Sequence, residues 1–462
     1  MPNRVDGVDG EFALVLHTHM PYVEGFGTWP FGEEWLFEAM ATSYLPVLDV
    51  LQTGAPITLS LTPVLCDQLQ APGVPERFAA FLRGVRRESH RLDAETARRG
   101  GDEAVAAAVE HSAARYEAAL ERFERIDGDL MAALAPYAAW TSAATHAVLP
   151  LLATDAGVRL QVRSGIQAHR RRTGGWAGGF WLPECAHAPE LDGLLAGEGV
   201  VATCVDLTGV VDDPLRPLRS DAGVVLAPID RAIVELVWSP DGYPSRAPYR
   251  DSWRKTEHEH RAWAVDGAAY DPERALEQAR ADADDFAARV ADRVRGGGLC
   301  VCALDTELLG HWWHEGAAWL GFAVDALARE GVALVHLDEA LEHHEPRAAP
   351  HDLPTTTWGV ARDLSTWDAP EVADAVWAAR RAELDVVAAG RDVPLHAVRE
   401  LLALQSSDWS FQVTRSYAPP YGRERAKTHA DGVAAALAEP GAIAPELRNL
   451  APWTSAAPLL EP

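Results

Sequence analysis

The sequence predicts an α/β protein built on parallel strands, as in a (β/α) barrel or a doubly wound sheet, with a helical insertion and an all-helical C-terminal region. Short apolar runs alternate with amphipathic stretches from residue 12 to residue 337, the pattern of strands joined by right-handed crossovers. Residues 75–128 are rich in Arg, Glu and Ala and carry no strand signal. Beyond Pro354 the apolar runs stop and only helical periodicity and turns remain. These shifts divide the chain into an alternating α/β unit over 10–350, including the insertion at about 75–130, and a helical unit over 355–462.

Taken in order, 12–16 reads as a strand ending in His17-Thr18-His19, and 33–52 as a helix closed by Gly54. A second strand follows at 57–61, then the insertion. Strand patterns return at 139–143, 179–182, 200–205, 224–228 and 232–237, with helices at 156–172 and 189–198 between them. The stretch 271–295 is strongly helical and stops at Gly296-Gly297-Gly298. A strand at 299–304, a helix at 316–330 and a strand at 332–337 complete the alternation. Helices follow at 369–387, 394–404 and 423–437, with a turn-rich stretch at 417–422. No GxGxxG or GxxxxGK[ST] follows any strand, which removes most support for a nucleotide-binding sheet.

The 462 residues carry a formal charge of −27, which argues against nucleic acid and anionic membrane surfaces and favours a neutral partner. The 5 cysteines, without a CxxC pair, predict free thiols in a reducing compartment. No signal-peptide pattern and no 18-residue apolar run occur, so a cytoplasmic location is expected. Sixteen tryptophans exceed both the 9 tyrosines and the 11 phenylalanines, an excess suited to stacking on sugar rings.

In parallel barrels, reactive side chains follow the carboxyl ends of strands. Here those positions hold His17 and His19, His146, Glu184, Asp206, Trp238, and Asp305 with Glu307, followed by His311-Trp312-Trp313-His314. Glu184 and Asp305, on separate strands, form a natural nucleophile and acid pair for breaking an acetal. Trp181, Trp238, Trp312 and Trp313 beside them suit pyranose stacking. Trp29 is a further subsite candidate, and Trp263, Trp358 and Trp367 are candidates to line the cleft.

LHTHMPYV at 16–23, TPVLCDQL at 62–69, GFWLPECAHAP at 179–189 and LDTELLGHWWHEG at 304–316 resemble, in order, the signature segments of glycoside hydrolase family 57. LLALQSSDWSFQVT at 401–414 resembles the C-terminal helical domain of that family's 1,4-α-glucan branching enzymes. The resemblance implies a (β/α)7 barrel, Glu184 as nucleophile and Asp305 as general acid/base of a retaining mechanism. It implies sugar contacts for His17, His19 and His146, and an aromatic, Trp409, brought to the cleft beside Asp408. Tyr243, in VWSPDGYPSRAPYRD, matches a mobile loop expected to cover the cleft, although Ser245-Arg246 replaces the usual Gly-Asp. An α-glucan such as amylose or glycogen is the implied partner. No cofactor and no metal are implied, and the sequence leaves the oligomeric state open.

Three other readings remain open on the sequence. A 4-α-glucanotransferase or α-amylase would use the same site with a different acceptor. A metal-dependent polysaccharide deacetylase would use His17, His19 and His146 with a carboxylate as ligands. A glucan-binding protein without turnover would not need both carboxylates.

Overall fold

A computed structural model describes residues 9–25, 27, 32–441 and 447–461. Parallel strands β1 (Glu11–Thr18), β2 (Thr58–Leu61), β3 (Ala138–Ser142) and β4 (Phe180–Trp181) pair in sequence order. Strands β5 (Ala202–Val205) and β6 (Val225–Pro228) pair in parallel, and β7 (Leu299–Asp305) pairs in parallel with β1. Single parallel bridges, Gly179 to Ala202 and Ile229 to Val301, join the two remaining seams. The seven strands thus form a closed ring in chain order, the (β/α)7 barrel. In β1 every residue after Glu11 is buried, as a strand covered on both faces requires.

Two expected strands differ. Residues 232–237 lie in a helix, because the Asp230 carboxylate accepts the Ile233 N–H at 3.3 Å as an N-cap and Ile233, Val234 and Val237 share one buried face. The strand expected at 332–337 shrinks to Ala333–Leu334 beside Glu11 and Phe12, and a helix begins at Leu337.

The insertion folds as helices, chiefly α1 (Arg87–Arg99) and α2 (Glu103–Arg125). The Asp102 carboxylate caps α2 by accepting the Val105 N–H at 3.0 Å. Its buried stripe, including Val105, Val109, Leu120 and Phe123, joins the barrel's main apolar core. Around the barrel run α3 (Asp155–Thr173), α4 (Arg231–Trp238), α5 (Pro272–Val294) and α6 (Gly316–Arg329).

The helix expected over 33–52 contains one π turn, Met40–Tyr44, between Glu33–Ala39 and Leu45–Leu51. That turn brings Thr42 against Gly310, where a Cβ would stand 1.9 Å from the Thr42 carbonyl oxygen and φ is 109°. Only glycine satisfies both conditions, so the segment after β7 is held close to the barrel rim.

The C-terminal region forms α7 (Ala373–Ala389), α8 (Leu395–Leu404), α9 (Ser407–Thr414) and α10 (Pro419–Ala438). Helix α10 takes in most of the stretch expected as turns, with prolines at its first positions where a missing N–H is harmless. One apolar cluster combines Tyr22, Val64, Ala144 and Leu160 with Leu401, Leu402, Trp409 and Val433. These helices therefore share a core with the strand-end face of the barrel, and α9 starts at the cavity.

Candidate active site

Strand β4 ends in Leu182-Pro183-Glu184-Cys185. Glu184 has φ 59° and Cys185 has φ 51°, a left-handed pair costing about 1–3 kcal/mol per residue. The turn is held by the Cys185 N–H donating to the Leu182 carbonyl at 2.8 Å and the Ala186 N–H to that of Pro183 at 3.0 Å. It turns the Glu184 carboxylate into the mouth of the barrel. There Oε1 accepts the Ser407 hydroxyl at 2.8 Å and Oε2 accepts the Trp358 indole N–H at 3.2 Å.

Behind Ser407 lies a line of polar groups. Ser407 Oγ is 2.9 Å from His146 Nδ1, His146 Nε2 is 2.9 Å from His17 Nε2, and His17 Nδ1 is 3.3 Å from Ser60 Oγ. If Ser407 donates to an ionised Glu184, the donors run one way: Ser60 to His17, His17 to His146, His146 to Ser407. Each imidazole then carries one proton. Burial, followed by the neighbouring imidazoles, holds His17 and His146 well below the usual histidine range and keeps them neutral.

Asp305 ends β7, in register with His17 of β1. Burial, then the nearby Glu307 and Glu184 carboxylates, pushes its pKa well above the ordinary aspartate value. Burial also raises Glu307, to about 7, although its Oε1 accepts the His19 N–H at 3.1 Å. Burial opposes a charge on His19, but Asp408, 3.1 Å from Nε2, outweighs it and raises the imidazole pKa. Burial raises Glu184 too, opposed by the donors Ser407 and Trp358. Among the described residues no such donor reaches Asp305. Donors thus favour the ionised form of Glu184, while among the described residues none favours an ionised Asp305, an asymmetry suited to acetal cleavage.

These groups open into one cavity of about 1100 Å³. His17, His19, His146, Glu184, Asp305, Asp408, Trp238, His311 and Trp312 all line it. Trp238 is 48% exposed and Trp312, beside His311 and Tyr417, is 39% exposed, so each presents part of its indole to the cavity. Burial, then Arg261, lowers His311 to about 3 and keeps it neutral.

Four expected contacts are corrected. Trp181 is fully buried below the cavity and stacks on His17 at 4.8 Å, supporting that ring instead of a sugar. Trp313 is buried between Tyr249 and Trp319. Trp409 is buried in the C-terminal helical core, its indole N–H donating to the Ala403 carbonyl at 2.8 Å. Tyr243 does not cover the cleft: its hydroxyl donates to Asp285 of α5 at 2.7 Å and its ring faces Trp319. Trp29 lies outside the described residues.

Asp206 is occupied by Arg231 at 2.9 Å, whose guanidinium also donates to the Trp358 carbonyl at 3.1 Å. Trp358 and Trp367 line the cavity, whereas Trp263 lies under Arg254. Ser407 was not singled out from sequence; its only signal is its place beside Asp408 in QSSDW. Among the described residues no group of three or more His, Cys, Asp or Glu is arranged to hold a metal ion. The nitrogens of His17 and His146 face each other and the two serines instead of converging on a common point.

The profile of glycosyl hydrolase family 57 matches residues 139–352, and that of the 1,4-alpha-glucan branching enzyme C-terminal region matches residues 376–446. A probable 1,4-alpha-glucan branching enzyme of Mycobacterium tuberculosis is 31% identical over 512 residues, covering 95% of this chain and 94% of its own. A 1,4-alpha-glucan branching enzyme of Thermococcus kodakarensis is 30% identical over 493 residues, covering 91% of this chain and 72% of its own. The crystal structure of a branching enzyme of the same family type from Pyrococcus horikoshii superposes with a TM-score of 0.89 at 28% identity, over 98% of this chain and 97% of that one.

Proposed function

The chain belongs to glycosyl hydrolase family 57, and on that premise we propose that it is a 1,4-α-glucan branching enzyme acting by a retaining double displacement. The observation that carries the reading is the contrast between Glu184, which receives two hydrogen bonds, and Asp305, which lines the same cavity and receives none among the described residues. Glu184 attacks the anomeric carbon of an α-1,4 linkage while the Asp305 proton passes to the departing 4-oxygen. The resulting glycosyl ester keeps the bond energy, so no nucleotide activation is needed. Asp305, now a carboxylate, takes the proton of an acceptor 6-hydroxyl. That oxygen displaces Glu184 and forms the α-1,6 branch.

Transfer competes with hydrolysis, and an acceptor wins when it is held in place and water is not. The exposed parts of Trp238 and Trp312, which line the same cavity as the carboxylates, support acceptor binding. The substrate class is a long α-1,4-glucan such as amylose or the outer chains of glycogen. Incubation with amylose, followed by enzymatic debranching and chain-length analysis, tests the assignment. Branching releases new short chains with little gain in reducing ends. Linear products would favour a 4-α-glucanotransferase, and rising reducing ends an α-amylase.

A further inference from the structure

One part of the cavity, an arm, is lined by residues of the insertion helices and of the segments around residues 250–261 and 311–314. Its lining is unusually cationic for a chain of charge −27. Some of these cations are neutralised: Arg86 pairs with Glu38, Arg122 with Asp49 at 2.6 Å, and Lys255 with Glu259 at 2.5 Å. Arg115, Arg250 and Arg261 are different. Among the described residues none of the three forms an ion pair with a carboxylate.

Each is instead fixed by neutral groups. Arg115 Nη1 donates to the His314 carbonyl at 3.2 Å and also meets the His314 ring. Arg261 Nη1 donates to the His311 carbonyl at 2.7 Å. Arg250 lies flat on the Tyr270 ring at 4.3 Å and reaches Ser112 Oγ at 3.4 Å. It is only 6% exposed, and its Nε and Nη2 have no hydrogen-bond partner among the described residues. Of the carboxyl groups nearby, Glu38 is paired with Arg86 and Asp251 acts on Arg261, while Glu34 and Glu315 form no ion pair among the described residues. Glu315 accepts the backbone N–H of Arg250 at 3.3 Å, and burial raises both carboxyls towards their neutral forms. Burial, then adjacent guanidinium groups, also holds His314 neutral. Among the described residues no carboxylate of the arm therefore pairs directly with any of the three guanidiniums, and Glu315, Glu38 and Asp251 act on them only from a distance.

A buried cation without a counter-charge is costly, and planar guanidinium groups favour oxygen anions that can accept two bonds. We propose that this arm is an oxyanion subsite, in which Arg115, Arg250 and Arg261 bind a phosphate or carboxylate group next to the glucan-binding cleft. Because Trp253 and Trp312 line the same arm, the anionic group sits within reach of a bound sugar chain. The net charge makes neutral glucan the default substrate, and the arm creates a local exception to it. The inference rests on the glucan-active reading of the site.

The full chain is tested with neutral amylose, with amylose of matched length bearing phosphate monoesters, and with inorganic phosphate alone. A group carried by the substrate predicts a kcat/KM about tenfold higher on the phosphorylated amylose, the worth of one charge-assisted hydrogen bond in this setting. That preference falls towards unity in Arg115→Gln and Arg250→Gln, with Arg261→Gln as the third variant if burial makes Arg250→Gln fold poorly. Calorimetric binding of inorganic phosphate that disappears in the same variants identifies a free ion as the occupant instead, and equally supports an oxyanion subsite. Equal use of both amyloses by the wild type, together with no phosphate binding, overturns the proposal. So does a preference that all three variants retain. Branching of neutral amylose in the wild type is read in parallel, and its absence points to failure of the functional assignment instead of the subsite.

Discussion

Ser407→Ala removes a hydroxyl that donates to Glu184 Oε1 at 2.8 Å and faces His146 Nδ1 at 2.9 Å. A hydrogen bond to a charged acceptor contributes about 1.5–3 kcal/mol. At about 1.4 kcal/mol per pKa unit, its loss raises the Glu184 pKa by about 1–2 units. The sign follows from the ionised form being the one stabilised: without the donor, burial raises this carboxyl further. The nucleophile must be ionised in the free enzyme, so the acidic limb of kcat/KM moves to higher pH by the same amount. Activity on that limb falls by about tenfold to a hundredfold. The alkaline limb, assigned to loss of the Asp305 proton, stays in place. The assay is kcat/KM on amylose across pH, with branch points counted after debranching. Ser407→Thr retains a hydroxyl and restores the wild-type limb. An acidic limb that does not move, or an equal loss at every pH, refutes Ser407 as a positioning residue for the nucleophile.

Other outcomes follow from the same geometry. Glu184→Gln lowers kcat by at least about a thousandfold with an unchanged circular dichroism spectrum, since no other carboxylate occupies its position. Asp305→Asn abolishes branching yet raises Tm by about 1–3 °C at alkaline pH. The raised folded-state pKa of Asp305 gives stability that is full below the ordinary aspartate value and is lost as pH rises through the folded value. The Tm gain should therefore be larger at pH 8 than at pH 5, and equal gains would contradict the assignment. Trp312→Ala removes a partly exposed indole from the cavity and raises KM for amylose by about five- to thirtyfold with a smaller change in kcat. Trp358→Phe keeps a ring against Trp181 but loses the donor to Glu184 Oε2; kcat/KM falls by about tenfold on the acidic limb.

Much of this site was legible because barrel chemistry collects at strand ends. The end of β1 yields His17 and His19, that of β4 yields Glu184, and that of β7 yields Asp305. Residues 232–237 misread as a strand because a short, mostly apolar run, broken only by Glu235, fits either period; the deciding signal was Asp230, an N-cap two residues upstream. Ser407 could not be foreseen as the partner of Glu184, because the two lie 223 positions apart and meet only when α9 docks on the barrel. The guanidiniums of the cationic arm come from separate segments and look individually like surface charge.

The tryptophans divide by environment, which sequence does not report. Trp238 and Trp312 stay partly exposed, whereas Trp181, Trp313 and Trp409 fill core. Tyr243 went astray for a related reason: a conspicuous loop motif says nothing of the Asp285 side chain that anchors its hydroxyl.

The double displacement makes one claim that a single measurement reaches directly. An activated maltosyl donor, mixed with Asp305→Asn to slow turnover of the ester, is quenched and mapped by peptide mass spectrometry. A maltosyl adduct on the peptide carrying Glu184, absent from Glu184→Gln under the same conditions, is the predicted result. Donor consumption with no covalent adduct, or an adduct on any other side chain, would contradict Glu184 as the nucleophile.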